Sequence, residues 1–158
     1  MLNYLRPLCI ASCLSVICSA AYAGDHGSAV GHAVKKISKS KVYHVTASDQ
    51  KGMRFDFSPT LESKPIHKGD TVTFIVKNTG FVDHEFGIDN EQGAKKLSQM
   101  MLQNPMMKHA GPNIVSLKPQ ETKEITWKFS GEESIYFSCT LPGHFAAGMY
   151  KTTQLAKH

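Results

Sequence analysis

The chain has 158 residues, 41% of them hydrophobic, and its 18 Lys and Arg against 13 Asp and Glu give a formal charge of +5. That length is about one domain's worth and can bury a real core without disulfides, so one compact domain is the expectation. The positive excess is mild and partly local: Lys35, Lys36, Lys39 and Lys41 crowd one stretch with no aromatic residue among them, which reads as a solvated linker and not as a DNA or RNA site.

The N-terminus reads as an address. Arg6 supplies a positive start, Leu8 to Ala20 is apolar and small, and Ala21-Tyr22-Ala23 has the form of a signal-peptidase site. Residues 1–23 are therefore expected to be a signal peptide that directs export. The apolar stretch falls short of the roughly 20 residues that span a bilayer, so no stable membrane insertion is expected once the signal is removed. Ile10-Ala11-Ser12-Cys13 looks like a lipoprotein cleavage box and offers a second route, but few apolar residues precede it. Cleavage after Ala23 removes Cys9, Cys13 and Cys18 and leaves Cys139 alone. A single thiol in an oxidising compartment calls for burial, catalysis or a metal.

Residues 24–41 are rich in Gly, Ala, Ser, His and Lys without a sustained apolar period, and are expected to form a flexible arm. The domain proper is expected over 42–158. Short β-like runs follow at Val42 to Thr46, Met53 to Phe57, Thr71 to Asn78 and Phe81 to Ile88, then Asn113 to Leu117, Thr122 to Phe129, Ser134 to Ser138 and Tyr150 to Leu155. Val72, Phe74, Val76 and Ile125, Trp127, Phe129 alternate with Thr or Lys, which gives each strand one core face. Turn residues such as His67-Lys68-Gly69-Asp70 and Lys118-Pro119-Gln120-Glu121 separate the runs. The pattern predicts an all-β fold, a Greek-key β-sandwich. Glu91 to Gln103 breaks it with good helix formers that stop before Asn104-Pro105, and predicts one short helix between strands, crossing from sheet to sheet.

The chemistry concentrates near the C-terminus. Cys139 closes a strand, His144 follows five residues later and Met149 five after that, with Pro142 and Gly143 turning the loop. Thiolate, imidazole and thioether make a soft, mixed donor set suited to copper, and two His, one Cys and a weak axial Met form the blue-copper arrangement. His84, at the end of the Phe81-Val82-Asp83 stretch, is the best second imidazole. His44, His67 and His109 are its rivals; His67 falls in a turn and His44 in an early strand, as surface or structural imidazoles would.

With these residues in place, the chain from Val42 to Leu155 resembles the cupredoxin family of plastocyanin, azurin and auracyanin, whose pattern of one His on a middle strand and a Cys-His-Met loop falls on His84, Cys139, His144 and Met149. The resemblance implies one type 1 copper ion held by those four side chains and a one-electron carrier cycling between Cu(I) and Cu(II). It also implies that His144 lies near the surface, with Pro142, Phe145, Ala146 and Ala147 as an apolar docking patch for a redox partner. One departure stands out: Glu85 follows the first His where plastocyanin and azurin commonly have Asn, and such neighbours tune a metal site. Asp83-His84-Glu85-Phe86 looks more like the periplasmic cupredoxins linked to copper tolerance, and that resemblance implies a periplasm as the compartment to which the chain is exported. The alternative function is therefore copper sequestration, with a copper-handling protein as partner. A monomer is expected. Four ligating side chains leave no open position for substrate, so no enzymatic activity is expected; a Cys139 nucleophile with His84 or His144 as base would leave Met149 unexplained. The absence of a second Cys from the loop argues against a binuclear centre.

Two further copper features are legible. Cleavage after Ala23 would expose Gly24-Asp25-His26, whose amine, two amides and imidazole suit square-planar Cu(II) or Ni(II). Met100, Met101, Met106, Met107 and His109 form a thioether-rich stretch that could attract Cu(I), although helical spacing assigns at least half of these methionines to packing.

Overall fold

The computed structural model describes residues 28–107 and 110–157. The signal segment, the Gly24-Asp25-His26 terminus and His109 lie outside the described residues. Strands run over Gly31–Ala33 (β1), Lys41–Ser48 (β2), Arg54–Ser58 (β3), Thr71–Asn78 (β4) and His84–Asp89 (β5). Helix α1 (Glu91–Gln103) follows, then Ile114–Leu117 (β6), Thr122–Phe129 (β7), Ser134–Ser138 (β8) and Tyr150–Gln154 (β9).

The strands form two sheets, one ordered β1-β7-β4-β2-β3 and the other β6-β5-β8-β9. β2 and β4 pair in parallel, and the remaining neighbours are antiparallel. The predicted alternation sets the register: Val72 lies opposite Trp127 and Phe74 opposite Ile125, all buried on the inner face. Phe74 of the first sheet meets Phe86 and Phe137 of the second with ring centroids 5.4 and 5.2 Å apart, and Phe86 stacks on Phe137 at 5.5 Å. Burial of each ring contributes about 1.5–3 kcal/mol, so this aromatic cluster is what clamps the sheets together.

Three expectations are corrected. The segment read as a flexible arm contributes β1, which pairs Gly31 with Phe129 and Ala33 with Trp127. Val30 is fully buried beside it, and Lys36 pairs with Glu124 at 2.9 Å, so apolar and ionic contacts both tie this stretch to the sheet. The strand expected from Phe81 begins instead at His84; Phe81 is 78% exposed, because the carboxylate of Asp49 accepts the N–H groups of Phe81 and Val82 at 3.0–3.1 Å and holds them in a turn. The helix does not cross between sheets: it joins β5 to β6, neighbours in one sheet, and packs against β8 and β5.

The helix itself starts and stops where its residues dictate. Asn90 caps it by accepting the N–H of Gly93 at 2.8 Å, and Glu91 pairs with Lys95 one turn on at 2.5 Å. Ala94, Ser98 and Met101, at helical spacing, form the buried face. Among the described residues no helix is long and apolar enough to cross a membrane.

Candidate metal centre

His84 opens β5 and Cys139 directly follows β8, and the pairing of Gly87 with Ser138 sets the start of one strand beside the end of the other. The turn that delivers His84 is pinned from two sides. Besides Asp49, the Asn78 side chain donates to the carbonyls of Val82 at 2.8 Å and Leu117 at 3.2 Å, and accepts from Gly80 N–H at 2.8 Å. Gly80 lets both side chains approach closely: a Cβ there would stand 2.6 Å from Asp49 Oδ1 and 2.9 Å from His84 Nε2, so a larger residue would displace one or both.

The loop from Cys139 to Met149 closes on itself. Cys139 N–H donates to the Met149 carbonyl at 3.0 Å, Met149 N–H to the His144 carbonyl at 3.0 Å, and His144 N–H to the Leu141 carbonyl at 3.0 Å. Gly143 and Gly148 turn the chain at φ +85° and +92°, a region that side-chain-bearing residues avoid. The spacing seen in the sequence is thus the length of a hydrogen-bonded ring.

Three of the expected ligands meet. His84 Nδ1 and His144 Nδ1 are 3.3 Å apart, Cys139 Sγ is 3.3 Å from His144 Nδ1, and ligating atoms of all three lie within 4.8 Å of one another. His84 and Cys139 are fully buried and His144 is half-buried. Met149 is also fully buried, and its main chain is bonded to both Cys139 and His144. His84 Nε2 is buried with no hydrogen-bond partner, so this imidazole is held by its surroundings with its Nδ1 edge turned to the shared centre.

The surroundings set the protonation of these groups. Burial pushes the Cys139 thiol up to about 12, against the opposing pull of the Glu85 and Leu141 backbone N–H groups. Burial lowers His84, helped by the nearby His144, while Asp49 and Asp83 act in the other direction; burial likewise lowers His144. Both imidazoles are therefore neutral near pH 7, the form that ligates. A buried thiol and two converging neutral imidazoles, with no carboxylate oxygen among the three, fit a soft or borderline ion such as copper.

Glu85 ties the centre to the sheet. Its N–H donates to Cys139 Sγ at 3.2 Å, Oε2 accepts from Thr140 Oγ1 at 3.0 Å, and Oε1 accepts from Ser116 Oγ at 3.4 Å. The carboxylate thus spans from β6 to the ligand loop. Its position was visible in the sequence, whereas the roles of Asp49, Asn78 and Thr140 were not, because Asp49 acts across 32 residues and Asn78 across 39. Of the rival imidazoles, His44 is exposed on β2, and His67 sits 3.2 Å from Lys41 Nζ and 3.6 Å from Asp70. Around His144, Pro142, Ala146 and Ala147 are exposed, and Phe145 stacks on Tyr150 at 5.0 Å.

No family model matches the chain. Among solved structures, it superposes on reduced auracyanin from Roseiflexus castenholzii with TM-score 0.53 and 21% identity, over 75% of this chain and 98% of that one. With auracyanin B the TM-score is 0.56 at 17% identity, over 81% and 96% of the two chains. These likenesses establish the cupredoxin fold. The copper-resistant cuproprotein CopI of Vibrio cholerae is 38% identical over 128 residues, 81% of this chain and 73% of that protein. CopI of Rubrivivax gelatinosus is 34% identical over 155 residues, 92% of this chain and 93% of that protein. With identity at this level over most of both sequences, the chain belongs to the CopI family of copper-resistant cuproproteins.

Proposed function

We propose that this protein is an exported copper-binding protein of copper tolerance, which takes up one copper ion through His84, Cys139, His144 and Met149. The observation that carries the reading is the convergence of Cys139 Sγ and two imidazole Nδ1 atoms in a buried centre, in a chain whose relatives are named copper-resistant cuproproteins. Copper bound there would supply reversible one-electron chemistry. The protein's own part is to hold the donors in place: Asp49 and Asn78 fix the approach to His84, the closed loop fixes His144 and Met149, and Glu85 fixes the sulfur. An enzymatic role for Cys139 is disfavoured, since a fully buried thiol pushed up to about 12 is a poor nucleophile at neutral pH.

Electron transfer is the second reading. It is favoured by a rigid, buried donor set, which limits rearrangement between oxidation states, and by the half-buried His144 beside exposed Pro142 and Ala146. A gene deletion separates the two. Loss of the protein should sensitise cells to copper, with rescue by the wild type and not by Cys139→Ser. Unchanged copper sensitivity with a defect in electron flow would overturn the tolerance reading in favour of the carrier.

A further inference from the structure

A groove of about 590 Å³ adjoins the centre. Met101 at the end of α1 and Met106 and Met107 in the turn after it form one wall; Asp83, His84 and Leu141, from the two segments that build the centre, form another. Four of the chain's seven methionines fall between positions 100 and 107, and three of those four line this groove. Met106 is 93% exposed, so core packing does not account for it.

Thioethers are soft, neutral donors that select Cu(I) over harder and divalent ions. The charge around the groove does not oppose a cation: Lys118 and Lys123 reach it, but Lys123 is paired with Glu121 at 3.1 Å and donates to the Ser116 carbonyl at 2.5 Å. Asp83 and Glu121 supply balancing negative charge on the same walls.

We propose that Met106 and Met107, in the turn after α1, form a second copper site, selective for Cu(I), at the margin of the His84 centre, with buried Met101 as part of the groove wall. It rests on the copper-binding reading only for the identity of the cation, and its thioethers need no deprotonation to bind. A tolerance protein with such a site would gather the reduced ion that a thiolate–imidazole centre alone would take up singly.

The test is an anaerobic titration with Cu(I) against a chromophoric Cu(I) chelator, carried out in the Cys139→Ser background so that the main centre lacks its thiolate. Adding Met106→Leu and Met107→Leu should remove one Cu(I) equivalent or weaken it at least tenfold. Met100→Leu, outside the groove, should leave it in place. Leu for Met conserves volume, and thermal unfolding of each variant checks that the fold is kept. Equal stoichiometry and affinity with and without Met106 and Met107 would overturn the proposal, as would equal loss from Met100→Leu, which would mean diffuse thioether binding. The Cu(II) colour of Met106→Leu/Met107→Leu with Cys139 intact should match the wild type. Absence of that colour in the wild type itself would instead contradict the main centre and leave the groove site standing or falling on its own titration.

Discussion

At Cys139, burial sets the state of the proposed ligand. Burial raises its thiol to about 12, so in the metal-free protein the sulfur carries its proton at pH 7, whereas His84 and His144, lowered by burial, do not carry a second one. A metal binds the thiolate and the neutral imidazoles. Copper uptake near pH 7 should therefore release about one proton per ion, supplied by Cys139. Titration with Cu(II) in a weakly buffered, indicator-containing solution checks this; release of two or three protons would mean that the imidazoles are charged before binding. The linkage runs the same way for stability. Because the folded-state values of both histidines lie below the ordinary 6.5, they favour the folded state above that pH, and the contribution is lost as pH falls through it. At this scale the sequence was informative where donors are close along the chain, as in Cys139, His144 and Met149. It was silent on Asp49 and Asn78, whose hydrogen bonds form only after β2, β4 and the turn before His84 have come together.

Among the elements, β1 was the one that pattern reading missed, and its physics explains why. Three residues, Gly31-His32-Ala33, are too few to display a period, and only Ala33 and Gly31 bracket the polar side chain. What holds the strand is tertiary: Val30 enters the core, and Gly31 lies so close to β7 that a Cβ would sit 2.1 Å from the Lys128 carbonyl oxygen and 2.6 Å from Trp127 Nε1. Gly31→Ala should therefore cost about 1–3 kcal/mol, as overpacking of a tight contact does. A denaturant or thermal melt of the variant measures it, and an unchanged midpoint would show that β1 is not a fixed part of the sheet. The same logic explains the misplaced start of β5. Phe81 and Val82 continue an apolar run on paper, but Asp49 captures their N–H groups and turns both side chains outward. The helix was legible in extent, from Glu91 to Gln103, because a run of helix formers and the Asn104-Pro105 breaker are local signals. Its destination was not, since the pairing of β5 with β6 depends on the whole sheet.

At the scale of the molecule, the sandwich converts an all-β sequence pattern into a fixed meeting point. The start of β5, the end of β6 and the end of β8 lie together, because His84 pairs with Leu117 and Gly87 with Ser138. Alternation in the strands therefore brings His84 to a loop more than fifty residues later, and Glu85, Thr140 and Ser116 lock the two segments. The sandwich class and most of its strands could be read from periodicity, while the bringing together of His84 with the loop rested on what a sandwich can do with a strand end, and on resemblance, until the register was known. The central claim, that this meeting point is a thiolate-containing copper site, is tested most directly by visible absorption during Cu(II) titration of the purified protein beside Cys139→Ser and His84→Ala. The expected result is an intense thiolate-to-copper(II) charge-transfer band that saturates at one ion for that centre, is abolished in Cys139→Ser and is altered or lost in His84→Ala. A folded, copper-loaded wild-type protein without that band would contradict it.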